Sequence, residues 1–353
     1  MITNAKILVC YNSPVSLFSN YTGKPSSQIH NSIDLSEYSF SDQIENIVKI
    51  LSEYFTYVES FPVDRNIINL INKLNEFNPD AILNFVESVE GITNYEYSIA
   101  GLFDLLGYQF TGNTAFTLGN CLNKERTKII LSSYGINTPS FDVLEPNRKI
   151  LEKNIKINFP IIMKLDEEDA SIGISEYSVV NNFNELLKHY RFLSKTYNKK
   201  ILIEEYIDGR EINVAILDGK VLPLSEIDFT GLPKSLPKIV TYEGKWIEGS
   251  EYYNYTKPVC PAIIKETIRK RIEKIALQSY KVMNCRDYAR VDIRLNKENV
   301  PFVIEINPNP DISIDSGFAR AANAAGISYN ELLKTITSFA LKRKINDSLN
   351  KAV

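Results

Sequence analysis

Apolar positions in the first third of the chain switch between two periods. Residues 6–9 form a short apolar run of the kind that makes a buried strand. Beyond it, Ile44, Ile47, Val48, Leu51 and Phe55 recur at helical spacing behind Ser41, a side chain able to cap a first turn. A strand-like run at 57–63 follows, then a second helical face built from Ile67, Ile68, Leu70, Ile71 and Leu74, then the apolar run 81–86. The order β-α-β-α-β predicts a Rossmann-like α/β layer. A third helix over 95–106 stops at Gly107, and the turn Thr111-Gly112-Asn113 marks a boundary, so residues 1–112 make the first unit. Between the first strand and its helix lies the polar stretch 11–40, too long for a simple connector and expected to touch substrate.

The remainder predicts two α+β units, 113–203 and 204–353. The first reads as a helix over 122–134, a strand over 159–165, the polar loop 166–171, a strand near 176–180, a helix over 183–193 and a strand over 200–204. The second opens on a hairpin, 211–217 and 220–224, joined by Asp218-Gly219, a pair that supplies the positive φ angles of a two-residue turn. A long helix, 262–283, carries Ile264, Ile268, Ile272, Ile275 and Ala276 on one face. It leads into strands 287–295 and 300–306 across a turn at 296–299.

Composition narrows the partners. The 353 residues are 44% hydrophobic and 24% charged, enough for sizeable cores. A formal charge of -3 leaves no basic excess to follow a phosphate backbone or an anionic membrane, so neither nucleic acid nor membrane is expected. No apolar run approaches the ~18 residues of a spanning helix, and the first ten residues lack a leader's pattern, so a cytoplasmic protein is expected. Cys10, Cys121, Cys260 and Cys285 are scattered and read as small hydrophobes. His30 and His189, the two histidines, are expected in solvent, as is the helix end Lys342-Arg343-Lys344; any metal is therefore expected to be held by oxygen.

The stretch with most chemical content is Arg290-Val291-Asp292 followed by Glu305-Ile306-Asn307. Strand alternation puts Arg290 and Asp292 on one face, and likewise Glu305 and Asn307. An antiparallel pairing that sets Asp292 opposite Glu305 and Arg290 opposite Asn307 brings their Cβ atoms to ~4.5–5.5 Å. Two facing carboxylates repel by ~1–4 kcal/mol, a cost that a divalent cation reverses, and the Asn307 amide oxygen completes a hard-oxygen set suited to magnesium. The same four residues would also make a plain surface cluster. Lys124 and Lys164, beside the loop 166–171, can reach phosphates as point charges or stand in solvent. The run 201–207 can wall an adenine or serve only as core strand.

Taken in order, Asn123-Lys124, Pro160 to Lys164, Ser171-Ile172-Gly173, Glu204 to Glu211, Tyr242 to Trp246, Arg290 to Asp292 and Glu305 to Asn307 resemble the motifs of the ATP-grasp superfamily, nearest to D-alanine–D-alanine ligases. The resemblance implies an ATP-grasp fold of the α/β class, with the N-terminal Rossmann-like layer followed by two α+β subdomains that clasp the nucleotide. It implies that Lys124, Lys164 and Lys245 contact phosphates, that Glu204 and the backbone of Glu205, Tyr206 and Ile207 hold adenine, and that Glu211 takes the ribose hydroxyls. Asp292, Glu305 and Asn307 would bind two magnesium ions, with manganese as a possible substitute. Arg290 would stabilise the acyl phosphate and the tetrahedral species, and the loop around Ser171 and Gly173 would close over the phosphates. Ser316 and Gly317 stand where the family binds the second substrate's carboxylate, and the family implies a homodimer.

The sequence also departs from that pattern. The first strand runs into Cys10-Tyr11-Asn12 with no nearby glutamate to hold a substrate ammonium; Ala170 stands where the family has a serine, and Trp246 where it has a tyrosine. The glycine that follows the metal-binding asparagine in the family pattern is absent from the stretch Asn307-Pro308-Asn309-Pro310-Asp311-Ile312-Ser313, where Asp311 can meet a cationic or hydroxylated substrate or Pro308 and Pro310 only stiffen a turn. The loop Asp166-Glu167-Glu168-Asp169 is acidic where phosphates should pass, so these side chains must turn outward or meet an amine. The expectation is an ATP- and magnesium-dependent carboxylate–amine ligase that joins small amino-acid-like substrates through an acyl phosphate. A true D-alanine–D-alanine ligase, a nucleotide-binding module without turnover, and a peptide acceptor remain open alternatives.

Overall fold

The computed structural model describes residues 2–13, 15, 17, 18, 20–25, 35 and 43–351. Its first layer is a parallel sheet, ordered β2-β1-β3, of β1 (Thr3–Asn12), β2 (Phe55–Val63) and β3 (Ala81–Phe85). The central strand is covered on both faces, which is why Ile7, Leu8, Val9 and Cys10 run apolar without alternation. Ile7 and Val9 pack with Ile47 and Leu51 of α1 (Ile44–Ser52), while Leu8 and Cys10 pack with Leu70 and Leu74 of α2 (Ile67–Phe77) and Phe103 of α3 (Tyr95–Leu105). Phe55, expected on the first helix, instead opens β2, because the chain turns at Tyr54, whose N–H bonds back to Leu51 O at 2.9 Å. Ser41 and His30 lie outside the described residues.

The second layer begins with α4 (Ala115–Leu122) and α5 (Lys124–Ser133). The single helix expected over 122–134 is broken at Asn123, which adopts an extended backbone and whose side chain accepts from Arg126 N at 2.7 Å, an N-cap. An antiparallel sheet ordered β4-β7-β5-β6 follows, of β4 (Phe141–Leu144), β5 (Ile161–Leu165), β6 (Val179–Val180) and β7 (Ile201–Glu205), backed by α6 (Phe183–Tyr197). The strand expected near 176–180 shrinks to β6, since a capping box at Ser175 winds Glu176–Ser178 into a 3-10 turn. His189 is not in solvent: it falls on the inner face of α6 with Leu186, Tyr190 and Leu193 and is 6% exposed.

The third layer joins β8 (Arg210–Leu217), β9 (Lys220–Val221), β10 (Ser225–Asp228), β11 (Lys257–Val259), β12 (Tyr288–Leu295) and β13 (Pro301–Asn307) in the order β11-β10-β8-β12-β13, with β9 paired to β8. Asp218 and Gly219 take the expected positive φ values of 51° and 68°. The helix expected from 262 starts at Glu266, beyond Pro261, as α9 (Glu266–Val282); its Ile272 and Ala276 pack on Ile212, Val214, Val291 and Ile293. Two short helices, α7 (Tyr242–Trp246) and α8 (Glu251–Tyr255), lie between β10 and β11 along the chain. After α10 (Gly317–Ala324), the long α11 (Tyr329–Lys351) returns to the first sheet, where Leu332, Leu333, Ile336 and Phe339 join Ile7, Val9 and Leu83 in one core. Its Arg343 is no solvated end, for its guanidinium pairs with Asp287 at 2.6 and 2.9 Å. Among the described residues no helix is long and apolar enough to cross a membrane.

Candidate active site

The floor of the site is a row of polar side chains on the third sheet. Asp292 of β12 faces Glu305 of β13, and Arg290 faces Asn307, in the register expected from sequence; a bulge after Asp292 then shifts the pairing to Ile293 with Val303. On the other side of β12, Asn213 of β8 stands opposite Asp292 and Glu211 opposite Arg294. Period-two alternation therefore gathers acids, amides and guanidiniums on one face, while Val291, Ile293 and Ile306 fill the core on the other.

Arg290 holds Asp292 in a fork, Nε to Oδ1 at 2.8 Å and one terminal nitrogen to Oδ2 at 2.9 Å. Asn213 and Asn307 add amide donors to the same carboxylate at 2.8 and 3.0 Å. Glu305 receives Lys124 at 3.2 Å. Burial would raise its carboxyl, but Lys124, Lys164, Lys245 and Arg290 outweigh that and draw it down to about 2. Lys124 is buried, which disfavours its charge, yet Asp169 and Glu305 more than restore it. Lys245 is held below its usual range by burial and then by Arg290.

Behind this row Glu204, 1% exposed, sits between Lys164 and Lys128, the latter at 2.6 Å. Both oxygens of its carboxylate are thus engaged by lysines. The N–H groups of Glu205 and Tyr206 are also committed, to Ser140 O at 2.8 Å and Pro160 O at 3.0 Å. Glu211 pairs with the buried Arg294 at 2.9 Å. A cavity of about 740 Å³ opens over these residues, lined by Lys124, Lys164, Ser171, Glu204 to Ile207, Glu211, Lys245, Trp246, Arg290, Asp292, Glu305, Asn307, Asp311, Ser316 and Gly317, whereas Gly173 does not line it. Asp311 is exposed at its edge and turns its oxygens to Ser313 at 2.7 and 2.8 Å. Ser316 caps α10, accepting from Ala319 N at 3.1 Å.

The acidic loop is tied to the chain itself. Asp166 accepts from Glu125 N at 2.9 Å at the start of α5, Glu167 from Asn123 at 2.9 Å, Glu168 pairs with Lys199, and Asp169 with Lys124 at 3.1 Å. Part of the long stretch 11–40 crosses the same region. Gly173 N donates to Tyr21 O at 2.9 Å, Tyr21 stacks on Tyr242 with ring centroids 5.7 Å apart, and Lys24 pairs with Glu243 at 2.5 Å and Glu176 at 3.0 Å. Trp246 completes the closure by donating its indole N–H to Ala170 O at 3.1 Å.

Sequence reasoning missed Lys128, Arg294, Asn213 and Glu96. Two of these left a signal, since Lys128 follows Lys124 by one helical turn and Arg294 continues the alternation of Arg290 and Asp292. The donor set, two carboxylates and an amide with no soft ligand, fits a hard divalent cation. Among the described residues no group of three or more His, Cys, Asp or Glu is gathered as a metal site.

Residues 130–338 match the family model for the D-ala D-ala ligase C-terminus. The chain is 32% identical over 246 residues to D-alanine–D-alanine ligase A of Bacillus cereus, covering 69% of this chain and 76% of that protein. It is 30% identical over 271 residues to an uncharacterised protein, y4sG, of Sinorhizobium fredii, covering 76% of each. Its fold matches D-alanine–D-alanine ligase of Bacillus anthracis, solved in complex with ATP, with a TM-score of 0.71 over 97% of this chain and 99% of that one, at 24% identity. The strand registers, the clustered lysines and these matches together make the chain an ATP-grasp protein belonging to the D-alanine–D-alanine ligase family, whose members form C–N bonds.

Proposed function

We propose that the protein is an ATP-dependent carboxylate–amine ligase that joins small amino-acid-like substrates through an acyl phosphate, releasing ADP and phosphate. The observation that carries this reading is the convergence of Lys124, Lys164, Lys245 and Arg290 around Glu305 and Asp292 in one cavity. A carboxylate is a poor electrophile, and phosphoryl transfer turns one of its oxygens into a leaving group. Two anions must meet for that step, and four cations in a largely enclosed site offset their repulsion. Arg290, fixed by its fork to Asp292, then faces the oxyanion formed when the amine attacks. Lys124, Lys164 and Lys245 hold phosphate oxygens, with Glu204 positioning Lys164 rather than only facing adenine. The carbonyl edge of Glu205 to Ile207 borders the base, and Glu211 the ribose. Ser171 belongs to the loop that covers the phosphates, with Trp246 pinning that loop; Asp311, Ser316 and Gly317 border the acceptor. Asp292, Glu305 and Asn307 would hold magnesium, which when bound neutralises phosphate charge.

Incubation with MgATP, hydroxylamine and pooled amino acids is expected to give hydroxamate and ADP; no turnover with any pool would sink the reading. The identity to the Bacillus cereus enzyme favours a second reading, ligation of two D-alanines, which D-alanine supplied alone would reveal as a dipeptide. We also propose a homodimer, supported by exposed Leu105 and Phe116 on the adjacent α3 and α4, and checked by sedimentation. The units 1–112, 113–203 and 204–353 are proposed on the ground that one sheet falls mainly within each.

A further inference from the structure

One end of the cavity lies against the first sheet, where Lys124 reaches Asp169 at 3.1 Å. Glu96, in the first turn of α3, lines it together with Glu87 and Asp169. Burial and then the charges of Glu87 and Asp169 drive the Glu96 carboxyl well above its usual range, and only the Asn309 amide, 3.5 Å away, works the other way. Among the described residues no lysine or arginine pairs with Glu96. A half-buried acid beside two others is a place where a further cation is favoured.

A second observation lies beside it. A small annex of about 10 Å³, room for about one water-sized group, shares the walls Glu87, Asn309 and Asp311 with the main cavity and is closed by Asn84 and Tyr288. Asn84 is 1% exposed; its Oδ1 accepts from Val86 N at 3.2 Å, whereas its Nδ2 has no acceptor. An amide donor left this way calls for an oxygen.

Resting on the ligase reading above, we propose that this end of the cavity seats an amino acid with a short oxygen-bearing side chain. Glu96 takes its ammonium, and Asn84 Nδ2 donates to a hydroxyl that enters the annex. The subsite replaces what the sequence lacks after β1, where Asn12 stands and no glutamate is near. An apolar side chain leaves the Asn84 donor unpaired, so a serine-like substrate is bound in preference to an alanine-like one. A carboxylate without an ammonium leaves Glu96 uncompensated and is bound worst.

The test is binding of serine, alanine and 3-hydroxypropanoate to the full chain by titration calorimetry, with and without ADP and magnesium. Serine is expected to bind more tightly than either analogue. Glu96→Gln should weaken serine about 10- to 100-fold, the scale of a lost hydrogen bond to a charged group, and leave ADP affinity unchanged. Asn84→Leu should abolish the preference for serine over alanine without weakening alanine. Equal binding of serine and 3-hydroxypropanoate, no preference for serine over alanine, or no serine binding in either condition overturns the proposal. The wild-type series needs no variant, so a misfolded mutant does not blunt it. Serine bound in this pattern without hydroxamate formation would sink the ligase reading and leave the subsite standing.

Discussion

Lys128 and His189 carry ionisable groups where water does not reach, and each has a consequence that can be measured. Lys128 is 1% exposed and is held by Glu204 and by Thr138 Oγ at 2.9 Å. Replacing it with Met leaves a buried carboxylate served by Lys164 alone, and breaking a buried pair costs about 3–5 kcal/mol. Lys128→Met is therefore expected to lower the urea midpoint well before any effect on turnover is considered. His189 stacks on Phe192 with its Nε2 unpartnered, and burial depresses its pKa to about 4 from 6.5. The folded ring stays neutral while the unfolded chain binds a proton below pH 6.5. Its share of stability is thus whole above pH 6.5 and is lost as pH falls through about 4, amounting to about 3 kcal/mol. Unfolding free energies measured between pH 4 and 7 should show this slope, and His189→Phe should flatten it.

At the scale of elements, three pieces from different parts of the sequence meet beside the cavity: residues 20–24, the loop 170–175 and α7. Gly23, at φ 72°, brings its backbone so close to Gly173 that a Cβ would stand 2.1 Å from the Gly173 carbonyl oxygen. Gly23→Ala is expected to push the crossing segment off the loop and, by displacing Ser171 and Lys245, to lower kcat/KM roughly 10- to 100-fold. Because Gly23 and Gly173 are both buried, the thermal midpoint should fall as well; a drop in midpoint with unchanged kcat/KM would contradict this account. The strands of the metal-type row were legible in sequence because alternation and register follow from period two alone, and Asp292 meets Glu305 as that rule requires. The crossing segment was legible only as a long polar stretch. Its contacts to Gly173, Tyr242 and Glu243 span up to 221 positions, and no local pattern encodes them. The acidic loop was unreadable for the same reason, since Lys124 and Lys199, which engage Asp169 and Glu168, are far from it in the chain.

At the scale of the whole molecule, the last helix decides whether the first sheet is an independent layer. Without α11, Ile7, Val9 and Leu83 would keep only α1 and its neighbours as cover on that face, so the N-terminal strands borrow part of their core from the C-terminal end of the chain. The sequence made Lys342-Arg343-Lys344 look like an ordinary charged terminus, because nothing local distinguishes a solvated arginine from one that reaches a buried acid. Arg343 bonds Phe110 O at 2.6 Å as well as Asp287, and Asp287 in turn accepts from Gly112 N at 3.0 Å. One guanidinium thus joins α11, the end of the first layer and the start of β12. Lys344 adds a more exposed pair to Asp80 at 2.7 Å. Arg343→Ala strips the buried Asp287 of its cation, and the expected loss is about 3–5 kcal/mol, whereas Lys344→Ala should cost under about 1 kcal/mol. Double substitution of Arg343→Ala with Asp287→Asn should recover part of the loss, because the uncompensated charge goes with it. Urea titrations of wild type, Arg343→Ala, Asp287→Asn and the double variant check the cycle. Equal, small losses for Arg343→Ala and Lys344→Ala would mean that apolar packing alone holds α11 to the first sheet.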